Sequence, residues 1–222
     1  KGIETCRSEG ADFLLAVGGG SVIDTCKAIA MGVPYEGDFW DFFCGKAKPK
    51  SALGVGVVLT IAAAGSEGST SCVITNEDGW LKKGVNYECS RPRFAIMNPA
   101  LTCTLPPYQT ASGGVDIMMH TMERYFSNTE HTELLDRMSE GLLKTVMANT
   151  KKALAEPNDY DARAELMWAG SLSHNNLMGV GKVQDWATHK IEHELGGMFD
   201  VAHGAGLAAV WGSWARYVMH AN

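Results

Sequence analysis

The sequence has no apolar stretch suited to a membrane. One of its charge-free runs, from Ser51 to Ser66, is sixteen residues long and broken by glycines, short of the roughly 20 apolar residues a spanning helix needs. Basic residues are too few to draw in nucleic acid or an anionic membrane: Lys and Arg total 19 against 25 Asp and Glu, a formal charge of −6. There is no CxxC pair. Cys6, Cys26, Cys44, Cys72, Cys89 and Cys103 are never closer than 14 positions, which excludes a ribbon of zinc thiolates. Several lie in apolar segments, where a reduced thiol behaves as a small hydrophobe, so a reducing, cytoplasmic compartment is expected. No basic, apolar and small-residue leader opens the chain. Lys1 is not an initiator methionine and Asn222 follows a helical pattern without a stop, so an internal piece of a longer protein is expected.

What is present is an ordinary globular composition, 45% hydrophobic and 20% charged, which rules out a disordered chain or a long coiled coil. Up to about residue 104, short apolar runs alternate with glycine-rich turns and helical patterns. Strands are predicted at Phe13 to Val17, Gly54 to Thr60, Ser71 to Thr75 and Phe94 to Met97, with a helix from Ser21 to about Ala30. That alternation predicts an α/β part, 1–104, built on a parallel or mixed sheet. Trp80 to Gly84 reads as the turn of a hairpin. After Leu105-Pro106-Pro107 the strands stop. Apolar spacings of three and four predict helices over Thr110 to Tyr125, Glu133 to Glu156, Tyr160 to Met178, Trp186 to Leu195 and from Gly204 towards Met219. The second part, 105–222, is therefore expected to be all-helical.

Two turns follow strands. Gly18-Gly19-Gly20 brings backbone without side chains to a helix start, where Ser21 is expected to cap the helix with Asp24 as its partner three residues on. Such a helix end favours an anion such as a phosphate, although a ligand-free tight turn has the same letters. Thr60 to Ser69 is a second small-residue turn. Both at carboxyl ends of strands would line one crevice. Lys82 and Lys83, in the expected hairpin, lie within reach of a phosphate there.

Carboxylate and imidazole groups recur at helical spacing. Asp116 and His120 are i and i+4, His189 and His193 repeat that step, and His203 sits between Ala202 and Gly204. One carboxylate with three imidazoles suits Fe²⁺ or Zn²⁺ and leaves a position open for substrate. Spacing alone does not separate His189 from His193. His131, His174 and His220 have no such company and read as surface or core residues. His189-Lys-Ile-Glu-His193 shares only its histidines with HExxH, because Lys190 stands where a general base belongs.

Ala16-Val-Gly-Gly-Gly-Ser-Val-Ile-Asp24, Gly65-Ser-Glu67, Asn98-Pro99, Leu105-Pro-Pro, Asp116-x-x-x-His120 and His189 to Gly204 resemble the iron-containing alcohol dehydrogenases. Trp168-Ala169 and Glu192-His-Glu-Leu195 are similar to their butanol dehydrogenase-like, aldehyde-reducing branch. The resemblance implies a dehydroquinate synthase-like fold, with a dinucleotide-binding α/β part, a helical part and a cleft between them. It implies hydride transfer between NADH or NADPH and a short-chain aldehyde or primary alcohol, and a homodimer. By position, Asp116, His120, His189 and His203 would hold Fe²⁺ or Zn²⁺. His193 would be a catalytic histidine beside the nicotinamide that relays a proton. Gly19, Gly20 and Ser21 match the pyrophosphate turn, Asp24 closes the same cofactor motif, and Thr60 and Lys82 match cofactor-contacting positions. The chain departs from the family at Ile61-Ala-Ala-Ala64, where Leu-Pro-Ala-Thr is usual, and at Ser69. Two alternatives stay open: a dehydroquinate synthase-like lyase on the same fold, and a truncated metal-binding remnant without turnover.

Overall fold

The structure is a computed structural model that describes residues 1–220; Ala221 and Asn222, where the helical pattern was expected to show no stop, lie outside them. After helix α1 (Gly2–Glu9), strand β1 (Phe13–Gly18) leads through α2 (Gly20–Gly32) and the single turn α3 (Trp40–Phe43) to β2 (Gly54–Leu59). β3 (Ser71–Asn76), β4 (Leu81–Asn86) and β5 (Phe94–Met97) follow. The helices α4 (Pro107–Tyr125), α5 (Glu133–Ala155), α6 (Tyr160–His174), α7 (Ala187–Phe199) and α8 (His203–Val218) complete it. Among the described residues no helix is long and apolar enough to cross a membrane.

β1, β2 and β5 form a parallel sheet in the order β1-β2-β5, with Val17 opposite Val58 and Val58 opposite Ile96. Its inward face carries Ala16, Val57 and Leu59, which bury against Ile23 of α2 and Met167 of α6. Val57, Leu59, Ile23 and Met167 each contribute about 1.5–3 kcal/mol when fully buried. Phe13 and Phe94 lie on the other face, over Gly54 and Gly56, and stack with ring centroids 6.0 Å apart.

β3 and β4 do not join that sheet. They form a separate antiparallel pair, Ser71 opposite Asn86 and Asn76 opposite Leu81. The expected hairpin turn at Trp80 to Gly84 is corrected: the chain reverses over residues 77–80, where Gly79 (φ 83°) and Trp80 (φ 54°) take left-handed conformations. Asp78-Gly79 is the dipeptide such turns prefer, and Lys82 and Lys83 belong to the second strand.

The capping expectation is also corrected. Gly19, not Ser21, is the N-cap of α2, and no side chain caps it. Asp24 points inward, accepting from Ser66 Oγ and from the Val73 N–H at 2.8 Å. Beside it Lys27, fully buried, donates to Ser66 O, Ser66 Oγ, Ser69 O and Ser71 O at 2.7–2.9 Å. A buried ammonium is tolerated only with its protons satisfied, and this one ties α2 to the turn after β2.

The helical boundaries differ by local chemistry. α4 starts at Pro107, which suits the first helical position. α6 stops at His174, near Asn176 in a left-handed conformation (φ 75°). α7 runs through Gly196 and Gly197 to Phe199 and closes at Asp200, φ 51°. Those glycines do not end the helix; they admit the hairpin, since a Cβ on Gly197 would lie 2.6 Å from Trp80 O.

Candidate metal centre and cleft

Asp116 and His120 lie one turn apart on α4 and are 3% and 4% exposed. α4 reaches this depth because Gly113 and Gly114 are bare: a Cβ there would lie 2.3 Å from Ala62 O and from Thr150 Oγ1 respectively. His189 comes from the first turn of α7 and His203 is the first residue of α8. Their Nε2 atoms converge on one oxygen. Asp116 Oδ1 is 3.6 Å from His120 Nε2, 3.9 Å from His189 Nε2 and 3.8 Å from His203 Nε2.

These separations are too long for hydrogen bonds. Asp116 Oδ1 and His189 Nε2 are buried without any partner, as is His120 Nδ1. Buried polar atoms are rarely left so. The outer partners explain the pattern. Glu123, 1% exposed, accepts from the His189 backbone N–H at 3.0 Å, from His189 Nδ1 at 2.9 Å and from Thr188 Oγ1. Glu192, with no exposed side-chain surface, receives His203 Nδ1 in a short contact. Each carboxylate places the ring proton on Nδ1 and turns the Nε2 lone pair inward. Lone pairs that face a carboxylate oxygen with no proton between them form a donor set for a cation, and carboxylate-oriented imidazoles are its usual outer support. The residues present therefore fit a divalent ion.

A second cluster, Glu192, His193 and His203, also brings its ligand atoms within 4.8 Å of one another. It contains a resident cation: Lys82 Nζ lies 3.1 Å from Glu192 Oε2. The ammonium makes this cluster the poorer metal site.

The electrostatics separate the histidines. Burial, reinforced by His174, His189 and Arg124, holds His120 well below the ordinary imidazole range. His174 is held down in the same way by burial and Arg124. Burial and the Lys82 charge push His193 down to about 4. For His189, burial opposes protonation, but the nearby Asp116 carboxylate and the Glu123 contact carry it above its usual value.

Several of these residues escape a reading of spacing. Glu123 is three positions after His120, and Glu192 three after His189, so each shares its helix face with a histidine. Each serves a histidine of another helix instead: Glu123 of α4 holds His189 of α7, and Glu192 of α7 holds His203 of α8. That doubled H-x-x-E spacing was a signal available in the sequence. His174, expected to have no company, stacks on His120 with centroids 4.0 Å apart. Arg124 lies 4.4 Å over the Trp186 ring, which packs edge-on against His189. His131 and His220 are exposed, as expected.

A cleft of about 620 Å³ opens onto the centre, lined among others by Ser21, Thr75, Lys82, Tyr108, Asp116 and His203. The two glycine-rich turns meet beside it. A Cβ on Gly19 would strike Ile61 at 2.3 Å, one on Gly20 would lie 3.2 Å from Ala64, and the Thr60 N–H donates to Gly18 O at 3.2 Å. Of the six residues expected at a cofactor, Ser21 and Lys82 line the cleft, Gly19, Gly20 and Thr60 build the paired turns, and Asp24 faces the interior. His193 is half-buried, its ring 5.8 Å from that of His203.

Comparison with known proteins adds a second line. Residues 1–99 match the model of the iron-containing alcohol dehydrogenases, and residues 110–222 match that of the C-terminal region of the Fe-containing alcohol dehydrogenase family. NADH-dependent butanol dehydrogenase A of Clostridium acetobutylicum is 43% identical over 220 residues, 99% of this chain and 57% of that protein. NADPH-dependent aldehyde reductase YqhD of Escherichia coli is 41% identical over 94% of this chain and 54% of its own length. The crystal structure of NADH-dependent butanol dehydrogenase A from Thermotoga maritima superposes with a TM-score of 0.97 at 42% identity, covering 100% of this chain and 56% of that one. The chain thus spans somewhat more than half the length of the relatives it matches.

Proposed function

The chain belongs to the iron-containing alcohol dehydrogenase family, and from that premise and its buried donor set we propose that it carries the catalytic core of a metal-dependent NAD(P)H oxidoreductase acting on short-chain aldehydes and primary alcohols. The observation that carries this reading is the convergence of three imidazole Nε2 atoms on the unpartnered Asp116 Oδ1, beside a cleft of about 620 Å³. Its butanol dehydrogenase and aldehyde reductase relatives support the substrate class.

Asp116, His120, His189 and His203 would hold Fe²⁺ or Zn²⁺. When bound, the ion supplies Lewis acidity to a substrate oxygen and the nicotinamide supplies or accepts the hydride. The protein's part is placement. The start of α2 at Gly19, Gly20 and Ser21 offers free N–H groups and a positive helix end to a pyrophosphate. Thr60 and Lys82 flank the same cleft. Glu123 and Glu192 keep two ligand rings in the productive tautomer. His193, held neutral near pH 7 by burial and Lys82, is the group that takes or returns a proton at a ring nitrogen. A homodimer is part of the same proposal. The lyase alternative has little support in the cleft, where Lys82 is the sole lysine or arginine among the described lining residues and is already paired with Glu192.

The test uses the full-length protein, metal-loaded and metal-stripped, with NADH and NADPH oxidation on butanal. Metal-dependent oxidation of at least one cofactor is the expected result. His193→Ala should lower turnover by about 10²–10⁴-fold, the usual worth of a general acid–base group, with metal content unchanged. Loss of metal from that variant would exchange the roles of His189 and His193. Absence of any metal-dependent aldehyde reduction in the wild type would overturn the reading.

A further inference from the structure

Lys82 was expected at the cofactor, yet its ammonium is engaged elsewhere. It leaves β4, crosses to α7 and lies 3.1 and 3.5 Å from the two oxygens of Glu192. It is also 3.5 Å from His203 Nδ1. Three groups therefore meet in one triangle around the buried Glu192, and the carboxylate is the only acceptor among them that both neighbours can use.

We propose that Glu192 is a positioning residue for His203, braced by Lys82, so that the β3–β4 hairpin sets the metal affinity of the helical part. This rests on the metal reading above. With Glu192 present, His203 Nδ1 is a donor and Nε2 presents a lone pair towards Asp116 Oδ1, 3.8 Å away. Without it, the nearest partner of Nδ1 is the Lys82 ammonium, a donor. The ring then prefers the opposite tautomer, with Nδ1 accepting from Lys82 and a proton on Nε2 in the place of the ligand lone pair.

The packing is shaped for this triangle. A Cβ on Gly206 of α8 would lie 2.8 Å from Glu192 Cγ. On Gly196 of α7 it would lie 2.6 Å from Lys82 Nζ and 2.9 Å from Glu192 Oε1, and on Gly197 it would lie 2.6 Å from Trp80 O. Gly196 and Gly206, on two helices, thus clear a sleeve for one ion pair, and Gly197 admits the hairpin backbone that carries Lys82. A lysine that merely reached into solvent would need none of them.

The experiment compares Glu192→Ala, Glu192→Gln and Lys82→Met with wild type in the full-length protein. Zn²⁺ affinity is read by chelator competition, and the His203 tautomer by ¹⁵N NMR of the zinc-free form. Glu192→Ala should weaken Zn²⁺ binding about 10–100-fold, the usual cost of losing an outer carboxylate, and move the proton of His203 to Nε2. Glu192→Gln, whose carbonyl still accepts from Nδ1, should keep the tautomer and lose less affinity. Lys82→Met should also keep it, with an intermediate loss. If Glu192→Ala does not fold, the other two variants carry the test through their affinities. Wild-type affinity and tautomer in all folded variants, with His120→Ala still abolishing zinc uptake, would overturn the positioning role and leave the metal reading standing. A wild type that takes up no zinc would overturn both.

Discussion

Asp116→Asn should lower the affinity for a divalent cation by more than about 100-fold, beyond the usual loss for an outer-shell partner, while raising the stability of the metal-free protein. The two effects share one cause. Asp116 Oδ1 sits among three Nε2 atoms at 3.6–3.9 Å with no proton to share, an arrangement that is favourable only around a cation. An asparagine amide contributes a donor of the same size, so one imidazole lone pair gains a hydrogen bond worth about 1 kcal/mol. The same amide removes the only negative ligand. Chelator competition and thermal unfolding of the stripped protein check the two halves. A variant that binds zinc as tightly as wild type, or whose stripped form is clearly less stable, would show that Asp116 is a structural acceptor and not a ligand. Opposed effects on function and stability are what a site held in a strained ligand-free arrangement predicts.

Gly204→Ala is the second large effect. Gly204 follows His203 at the start of α8, and a Cβ there would lie 1.9 Å from Ser112 O and 2.7 Å from Ser112 C. Both are backbone atoms of α4 and no rotamer change clears them. The start of α8 must move away from α4, and His203 moves with it. Overpacking of this kind costs about 1–3 kcal/mol, and the displaced ligand should cost at least about tenfold in zinc affinity, since even outer-shell disturbances reach that size. Gly141→Ala is the control. It lies in α5 with nothing within 4 Å of its Cβ position, so it should be stabilising by up to about 1 kcal/mol from helix propensity alone. Calorimetry and chelator competition on both variants decide the matter. Equal stability and affinity in the two would mean that α8 tolerates a shift the geometry forbids.

Much of this architecture was legible in the sequence because its signals are local. The strands at Phe13, Gly54, Ser71 and Phe94 announce themselves by short β-branched or apolar runs between glycines and polar residues. The i, i+4 step of Asp116 and His120 survives folding, because a helix face is set by spacing alone. What spacing could not carry was pairing across helices. His189 and His193 share their spacing with Asp116 and His120 on α4, and only the fold turns one inward and leaves the other half-buried. Glu123 and Glu192 look like ordinary helix charges until α7 packs against α4 and α8. The hairpin was misplaced because Lys82 and Lys83 are polar and turns are polar, although Asp78-Gly79 was the sharper signal. The helix predicted to stop at Leu195 runs on through Gly196 and Gly197, which let it approach the β3–β4 hairpin closely. Asp24 read as a cap because its offset from Ser21 fits a capping box, whereas the buried Ser66 and Val73 N–H outcompete the helix end for its oxygens.

The most direct test is anomalous diffraction at the metal edge from crystals of the full-length protein grown with Zn²⁺ or Fe²⁺. One peak per chain within about 2.0–2.2 Å of an Asp116 oxygen and of Nε2 of His120, His189 and His203 is the predicted result. A principal peak among Glu192, His193 and His203, or none at either cluster, would contradict it.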